Sequence, residues 1–310
     1  MNKLGFGMIL ISLFLLNACS KTDAEIPSSI EQTTSTEFTL SSIPTQTGTV
    51  TATITSTPTI TPTPFLPATP TATLIPTQTP DPNFSQFGPG PVLFPILLYH
   101  HVLPVNENAS QYAVTVDQFK TQMVWMQENG YRTIKVQDMV DAIHVGKLLP
   151  NKPFIITFDD GNVDIYNYAY PILKDLGFTA TMYLIEEAVG DYGNFSVDII
   201  HELADAGWEF GSHTKNHANL NTCADRTDEI CGSRDHLIEM LQIPIQSIAY
   251  PFGIENDREK TIAFGCGYTS GAGLGSFTIH TQDRLFYFSR REIKSYFDMQ
   301  RFITTVTDVR

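Results

Sequence analysis

The sequence predicts an α/β domain whose mainly parallel sheet, with helices outside it, curls into a closed or nearly closed barrel. Three observations predict it. Apolar stretches rich in strand formers alternate with segments of helical period from Leu93 to Ser270. One of them, Phe154 to Phe158, runs continuously in apolar and β-branched residues, the pattern of a strand buried on both faces. The stretch 91–310 is long enough for one domain with a sizeable core, and over that length a barrel fits the alternation better than an open sheet.

The elements follow in order. Leu93 to Tyr99 is an apolar strand. Thr115-Val116-Asp117-Gln118 reads as a capping box that opens a helix with Phe119, Met123 and Met126 on its apolar face, ended by Gly130. Tyr131 to Val136 alternates as a strand, Asp138 to Val145 is a short helix, and the Phe154 strand comes next. A helix around Tyr168 to Leu176, with Gly177 at its C-terminus, leads into a strand over Thr179 to Ile185. A helix from Val197 to Ala206 stops at Gly207, and Trp208 to Gly211 begins a strand. Helix Asp228 to Leu241, strand Gln246 to Tyr250, helix Asp257 to Phe264 and strand Tyr268 to Ser270 complete the series.

Ahead of this domain the composition changes. Residues 20–90 are dominated by Thr and Pro, as in Thr55-Ser56-Thr57-Pro58-Thr59, too poor in apolar side chains to offset the entropy of ordering. They read as a disordered, extended and semi-stiff tether. Residues 1–19 hold a short positive start at Lys3 and a short apolar run from Gly7 to Leu16, which fits a secretory signal. Its end, Leu16-Asn17-Ala18-Cys19, resembles the lipobox of bacterial lipoproteins. That resemblance implies cleavage before Cys19, lipid on its thiol, and a protein exported and anchored to the outer face of a bacterial membrane.

The formal charge of the chain is −14. The first 90 residues carry two basic and five acidic side chains, so most of the negative charge falls on the domain. Such a domain is a poor partner for nucleic acid or anionic polymers and suits a neutral substrate, or one that becomes cationic. Of the cysteines after Cys19, Cys223 and Cys231 are near neighbours in sequence; an exported chain can bridge them, leaving Cys266 free and buried.

In a barrel of this kind chemistry gathers where strands end. Asp159 and Asp160 follow the Phe154 strand, and two carboxylates beside a core need separate compensation. An EF-hand reading of Asp160, Asn162 and Asp164 fails, because Ile165 and Pro171 stand where Gly and Glu are required. His213 and His217 follow another strand; four apart, they can face one metal, and with one carboxylate they make a facial site. Taken singly, Asp-Asp-Gly is also a turn and His-x-x-x-His a surface pair. Two further strand ends are Ala249-Tyr250-Pro251-Phe252-Gly253, a turn able to aim a backbone N–H, and Tyr99-His100-His101, histidines suited to proton transfer near neutral pH.

With these motifs in this order, the domain resembles the polysaccharide deacetylases, the NodB-homology family or carbohydrate esterase family four, from about Phe94 to Arg291. Thr157-Phe158-Asp159-Asp160-Gly161 matches the first family motif and Ser212-His213-Thr214-Lys215-Asn216-His217 the second. The resemblance implies a NodB-type distorted (β/α) barrel, with Asp159 as catalytic base. It implies that Asp160, His213 and His217 hold a divalent metal, commonly zinc, with cobalt, nickel or manganese as alternatives. By the same analogy, the backbone N–H of Phe252 and the metal stabilise the oxyanion. Two departures stand out. The family's Arg that holds the base aspartate is replaced by Ala249, and the late Leu-x-His acid is absent, since His280 in Thr278-Ile279-His280 lacks that context. The start, Pro95 to His100, is similar to the permuted branch with poly-N-acetylglucosamine deacetylases, which implies His100 as general acid and leaves His101 a neighbour. The expected function is metal-dependent removal of N-acetyl groups from an N-acetylglucosamine-containing polysaccharide. An O-acetyl esterase acting on xylan-type polymers and a non-catalytic polysaccharide-binding lipoprotein are the alternatives. No oligomeric state is read from the sequence.

Overall fold

The structure, a computed structural model, describes residues 81–254 and 256–309. The signal-like segment, Cys19 and the Thr/Pro tract up to residue 80 lie outside the described residues. The main sheet has eight strands, of which Arg132–Thr133 only flanks the start of the Pro153–Phe158 strand and seven form a continuous path: β1 (Ile96–Tyr99), β2 (Pro153–Phe158), β3 (Thr181–Leu184), β4 (Glu209–Ser212), β5 (Ser247–Ala249), β6 (Ser270–Ala272) and β7 (Arg291–Glu292). They lie in the order β6-β5-β4-β3-β2-β1-β7, and every pair is parallel. Phe288 exchanges backbone hydrogen bonds with Gly271 and Gly273, both 2.9 Å, beside β6, while β7 pairs with β1. The segment 288–292 thus joins the two ends of the sheet into a distorted barrel, the expected fold.

The helices are α1 (Val116–Glu128), α2 (Val136–Val145), α3 (Tyr170–Asp175), α4 (Val197–Asp205), α5 (Ser233–Leu241), α6 (Asp257–Gly265) and α7 (Met299–Thr307). The Thr115 capping box forms as read: Thr115 Oγ1 accepts from Gln118 N at 3.2 Å and Gln118 Oε1 from Thr115 N at 2.9 Å. Side chains alternate along the strands. Leu97, Tyr99, Phe154, Ile156 and Phe158 pack in one apolar cluster, while Ile96, Ile155, Tyr183, Ala249 and Ala272 belong to a second.

Several boundaries differ from the sequence reading, each for a local reason. The Leu93–Tyr99 strand divides at Pro95, which has no N–H for a ladder. Val92–Leu93 pairs antiparallel with Ile279–His280, and only Ile96–Tyr99 joins the barrel. The Tyr131–Val136 strand shortens to Arg132–Thr133 because Val136 opens α2. Glu209 of β4 stabilises that start, its carboxylate accepting from Val136 N at 2.7 Å and Gln137 N at 3.1 Å. The Tyr168 and Asp228 helices each begin with a π turn, Ile165–Ala169 and Asp228–Gly232. The expected tether overran by several residues: Phe84–Phe87 form an antiparallel strand against Lys147–Pro150.

The cysteine pairing also differs. Cys231 bonds to Cys266, with Cα atoms 5.4 Å apart, and among the described residues Cys223 is the free thiol. Cys231 sits in the π turn ahead of α5, and Cys266 is the C-cap residue of α6. Those two elements pack together, whereas Cys223 belongs to the loop that leaves His217. Among the described residues, no helix is long and apolar enough to cross a membrane.

Candidate active site

Asp159 follows β2 directly, and the alternation that turns Ile155 inward also turns in Thr157 and Asp159. Asp159 is only 2% exposed. Its compensation is Arg290, just ahead of β7: Nη1 donates to Asp159 Oδ1 at 2.6 Å and Nη2 to Oδ2 at 2.8 Å. This two-pronged pair is the strongest geometry available to a carboxylate and a guanidinium. Arg290 Nε donates to Gly273 O at 3.2 Å, and the guanidinium lies 5.2 Å from the Tyr183 ring centre. Gly211 makes room for that ring, since a Cβ there would sit 2.5 Å from Tyr183. Burial pushes the Asp159 carboxyl up, but Arg290 and then His213 outweigh it and bring it down to about 2. The anchoring arginine missing at Ala249 is therefore supplied from a different strand.

Asp160 turns the other way. Its φ of 78° is left-handed, so adjacent carboxylates serve different neighbours. Asp160 Oδ1 lies 3.6 Å from His213 Nε2 and 3.9 Å from His217 Nε2. One ligand atom from each of Asp160, His213 and His217 falls within 4.8 Å of the others, a group that can hold a metal ion. The fit is supported by the tautomer of His213. Its Nδ1 lies 2.8 Å from Ala249 O, which can only accept, so Nδ1 carries the proton and Nε2 keeps its lone pair for the site. Burial, and next His213, lower the pKa of His217, which favours the neutral ligand form.

These groups line one open cavity of about 470 Å³ together with His100, His101, Tyr112, Tyr250, Phe252, Arg290 and Glu292. All six catalytic and metal-ligand residues named from the sequence, Asp159, Asp160, His213, His217, His100 and Phe252, meet there. His100 packs against Tyr112 with ring centres 5.1 Å apart, and its Nδ1 is 3.7 Å from Glu292 Oε1. Burial lowers its pKa against the pull of the nearby carboxylates. His101 differs: its Nδ1 bonds Asp164 Oδ2 at 2.7 Å, which raises its pKa and ties it to the helical turn that leads into Ile165–Ala169. Phe252 is left-handed at φ 61°, 63% exposed, and its ring lies 4.8 Å from His217. Thr214 and His217 are left-handed as well. Such backbone concentrates where a site over-determines it.

His280 lies outside this cavity. Its Nε2 is 3.0 Å from Phe94 O, and burial brings its pKa down to about 4. The unfolded chain, with a histidine pKa near 6.5, takes up this proton first, so the contribution to stability is complete above that pH and falls as pH drops toward 4. Between pH 7 and pH 5 the loss is about 2 kcal/mol. Urea unfolding at both pH values is expected to show that loss in the parent and a smaller one in His280→Gln.

Arg290 and Glu292 were missed by the sequence reading. The available signal was topological: a barrel ending at β6 needs one more strand to close, and Phe288 to Ile293 is the stretch that can supply it.

Comparison with known proteins falls on the same domain. Residues 147–271 match the family model of polysaccharide deacetylases. A putative polysaccharide deacetylase of Bacillus subtilis is 31% identical over 183 residues, which cover 58% of this chain and 64% of the relative, less than two thirds of its length. A poly-beta-1,6-N-acetyl-D-glucosamine N-deacetylase of Staphylococcus aureus is 26% identical over 201 residues, covering 60% of this chain and 69% of the relative. The structure of the Streptococcus pyogenes deacetylase PplD, in complex with acetate, superposes with a TM-score of 0.65 at 29% identity, covering 70% of this chain and all of that one. With the paired aspartates and the histidine pair standing at strand ends on either side of β3 in such a barrel, the chain carries a polysaccharide deacetylase domain of the NodB type.

Proposed function

We propose that the protein is a metal-dependent hydrolase that removes N-acetyl groups from an N-acetylglucosamine-containing polysaccharide outside the cytoplasm. The observation that carries this reading is the Asp160, His213 and His217 group beside a buried, Arg290-held Asp159 in one open cavity. The Staphylococcus aureus relative, named for an N-acetylglucosamine polymer, supports the amide substrate. Two imidazoles and one carboxylate suit zinc, with cobalt, nickel or manganese as substitutes in the same donor set. When bound, such a cation supplies Lewis acidity, polarising the amide carbonyl and making a water easier to deprotonate, which offsets the weak basicity of a carboxylate held by arginine. Asp159 accepts the proton of the attacking water. His100 then gives a proton to the nitrogen as the C–N bond breaks, releasing acetate and leaving the sugar amine. The left-handed turn at Phe252 supports its backbone N–H as a donor toward the developing oxyanion. Lipid on Cys19, at the outer face of a bacterial membrane, and the Thr/Pro tract behind it are proposed as anchor and reach.

The test is acetate release by the purified protein from N-acetylglucosamine oligomers and from an acetylated xylan oligomer, with chelator and then with zinc or cobalt restored. Metal-dependent release from the amide substrate is expected. Release from xylan alone would make the protein an esterase. His100→Ala is expected to slow amide cleavage by about 10²–10⁴-fold, with a much smaller loss on an activated ester whose leaving group needs little protonation. Equal losses on both substrates would remove the acid role.

A further inference from the structure

The two histidines of the proposed metal group sit on a loop with little regular structure. Thr214 and His217 take left-handed φ values of 66° and 59°, which non-glycine residues hold only when their surroundings force them to. Between them, the N–H groups of Lys215 and Asn216 both point at one atom, Glu229 Oε2, each at 3.2 Å. Successive amides converging in this way form a nest for an anion. The anion here is a side chain that is only 4% exposed. The backbone carbonyl of Glu229 also accepts from Lys215 N, at 3.1 Å.

Glu229 belongs to the π turn Asp228–Gly232, whose extra residue shifts it out of the register of α5. The same short segment grips the loop at two more points. Lys215 Nζ bonds Asp228 Oδ2 at 2.7 Å, and Ser233 Oγ lies 2.6 Å from Ser212 Oγ, which accepts from Thr214 N at 3.0 Å. From the other side, Glu186 N and Glu187 N donate to the carbonyls of Thr214 and Lys215 at 3.1 and 2.9 Å. Two residues beyond Glu229, Cys231 is tied to Cys266, so the π turn is itself anchored to α6.

We infer that Glu229 is a positioning residue for the metal-ligating loop: its buried carboxylate fills the nest between His213 and His217 and holds both imidazoles toward one point. This rests on the proposed metal site but concerns residues outside the family motifs. Without the carboxylate, Asn216 N loses its acceptor and Lys215 N keeps only the backbone carbonyl of Glu229. With that clamp gone, less holds Thr214 and His217 in the left-handed region, and their relaxation out of it swings His217 away from His213 and Asp160.

The experiment is a titration of the purified, metal-stripped full chain with Co²⁺, read by its visible absorption spectrum and by competition with a chelator. Melting of the metal-free protein reports folding separately. Glu229→Ala and Glu229→Asp are expected to weaken Co²⁺ binding by about 10–100-fold and to change the absorption spectrum, because outer groups that orient ligands carry effects of that size. Aspartate keeps the charge but is one methylene short. Glu229→Gln, whose amide oxygen can accept both N–H groups, is expected to restore affinity and spectrum to near those of the parent. Parental affinity and spectrum in a folded Glu229→Ala or Glu229→Asp chain would overturn the inference; if neither folds, failure of Glu229→Gln to recover binding does so. A parent chain that binds no Co²⁺ would instead sink the proposed metal site itself.

Discussion

Replacing Arg290 by methionine is expected to destabilise the domain by about 3–5 kcal/mol and to abolish turnover. The substitution keeps most of the apolar volume of the side chain but removes both charged hydrogen bonds to Asp159, leaving a carboxylate at 2% exposure without its cation. Such a group recovers by taking up a proton, which ends its use as a base. Urea unfolding near neutral pH measures the first effect and acetate release the second. The double variant Arg290→Met with Asp159→Asn is expected to be more stable than Arg290→Met alone, because the unpaired charge is gone. Arg290→Lys is expected to recover only part of the loss, since one ammonium cannot reproduce a two-pronged contact. If Arg290→Met unfolds at the same urea concentration as the parent, the pair is not what compensates Asp159.

Asp159→Asn and His213→Ala are expected to fail for different reasons. In Asp159→Asn the proton acceptor is lost, and kcat falls by about 10²–10⁴-fold or more while the metal group stays intact. Removing the imidazole of His213 takes one donor from the Asp160, His213 and His217 group, so metal and turnover are lost together. Metal content measured on both proteins after dialysis separates them. A metal-free Asp159→Asn would place that residue among the ligands rather than beside them.

Much of this arrangement was legible because its parts are local. Asp159 and Asp160 end a continuous apolar run, His213 and His217 are four residues apart, and Thr115 and Gln118 announce their helix within one turn. What was not legible depends on partners far along the chain. Arg290 lies 131 residues from Asp159, on the edge of a two-residue strand too short to show a period. The cysteine pairing misled because nearness in sequence was taken for nearness in space. Cys231 lies on a π turn, and no propensity marks the extra residue that gives it its place. Val136 looked like the end of a strand because the group that makes it a helix start, Glu209, belongs to β4.

The arginine that steadies Asp159 has a consequence for how the protein is made. A chain that emerges N-terminus first presents Asp159 ahead of Arg290 by 131 residues, so over that interval the unfinished barrel contains an acid with no counter-charge and an open seam beside β1. Closing early over that acid is costly, which keeps the unfinished chain loose until its last strand emerges. Completion then arrives in one late step that seats β7, seals the ring and neutralises the acid together. Chains cut short before that point lack all three, and protease digestion of chains ending before residue 288, set beside the full chain, would show the change as an abrupt gain in resistance.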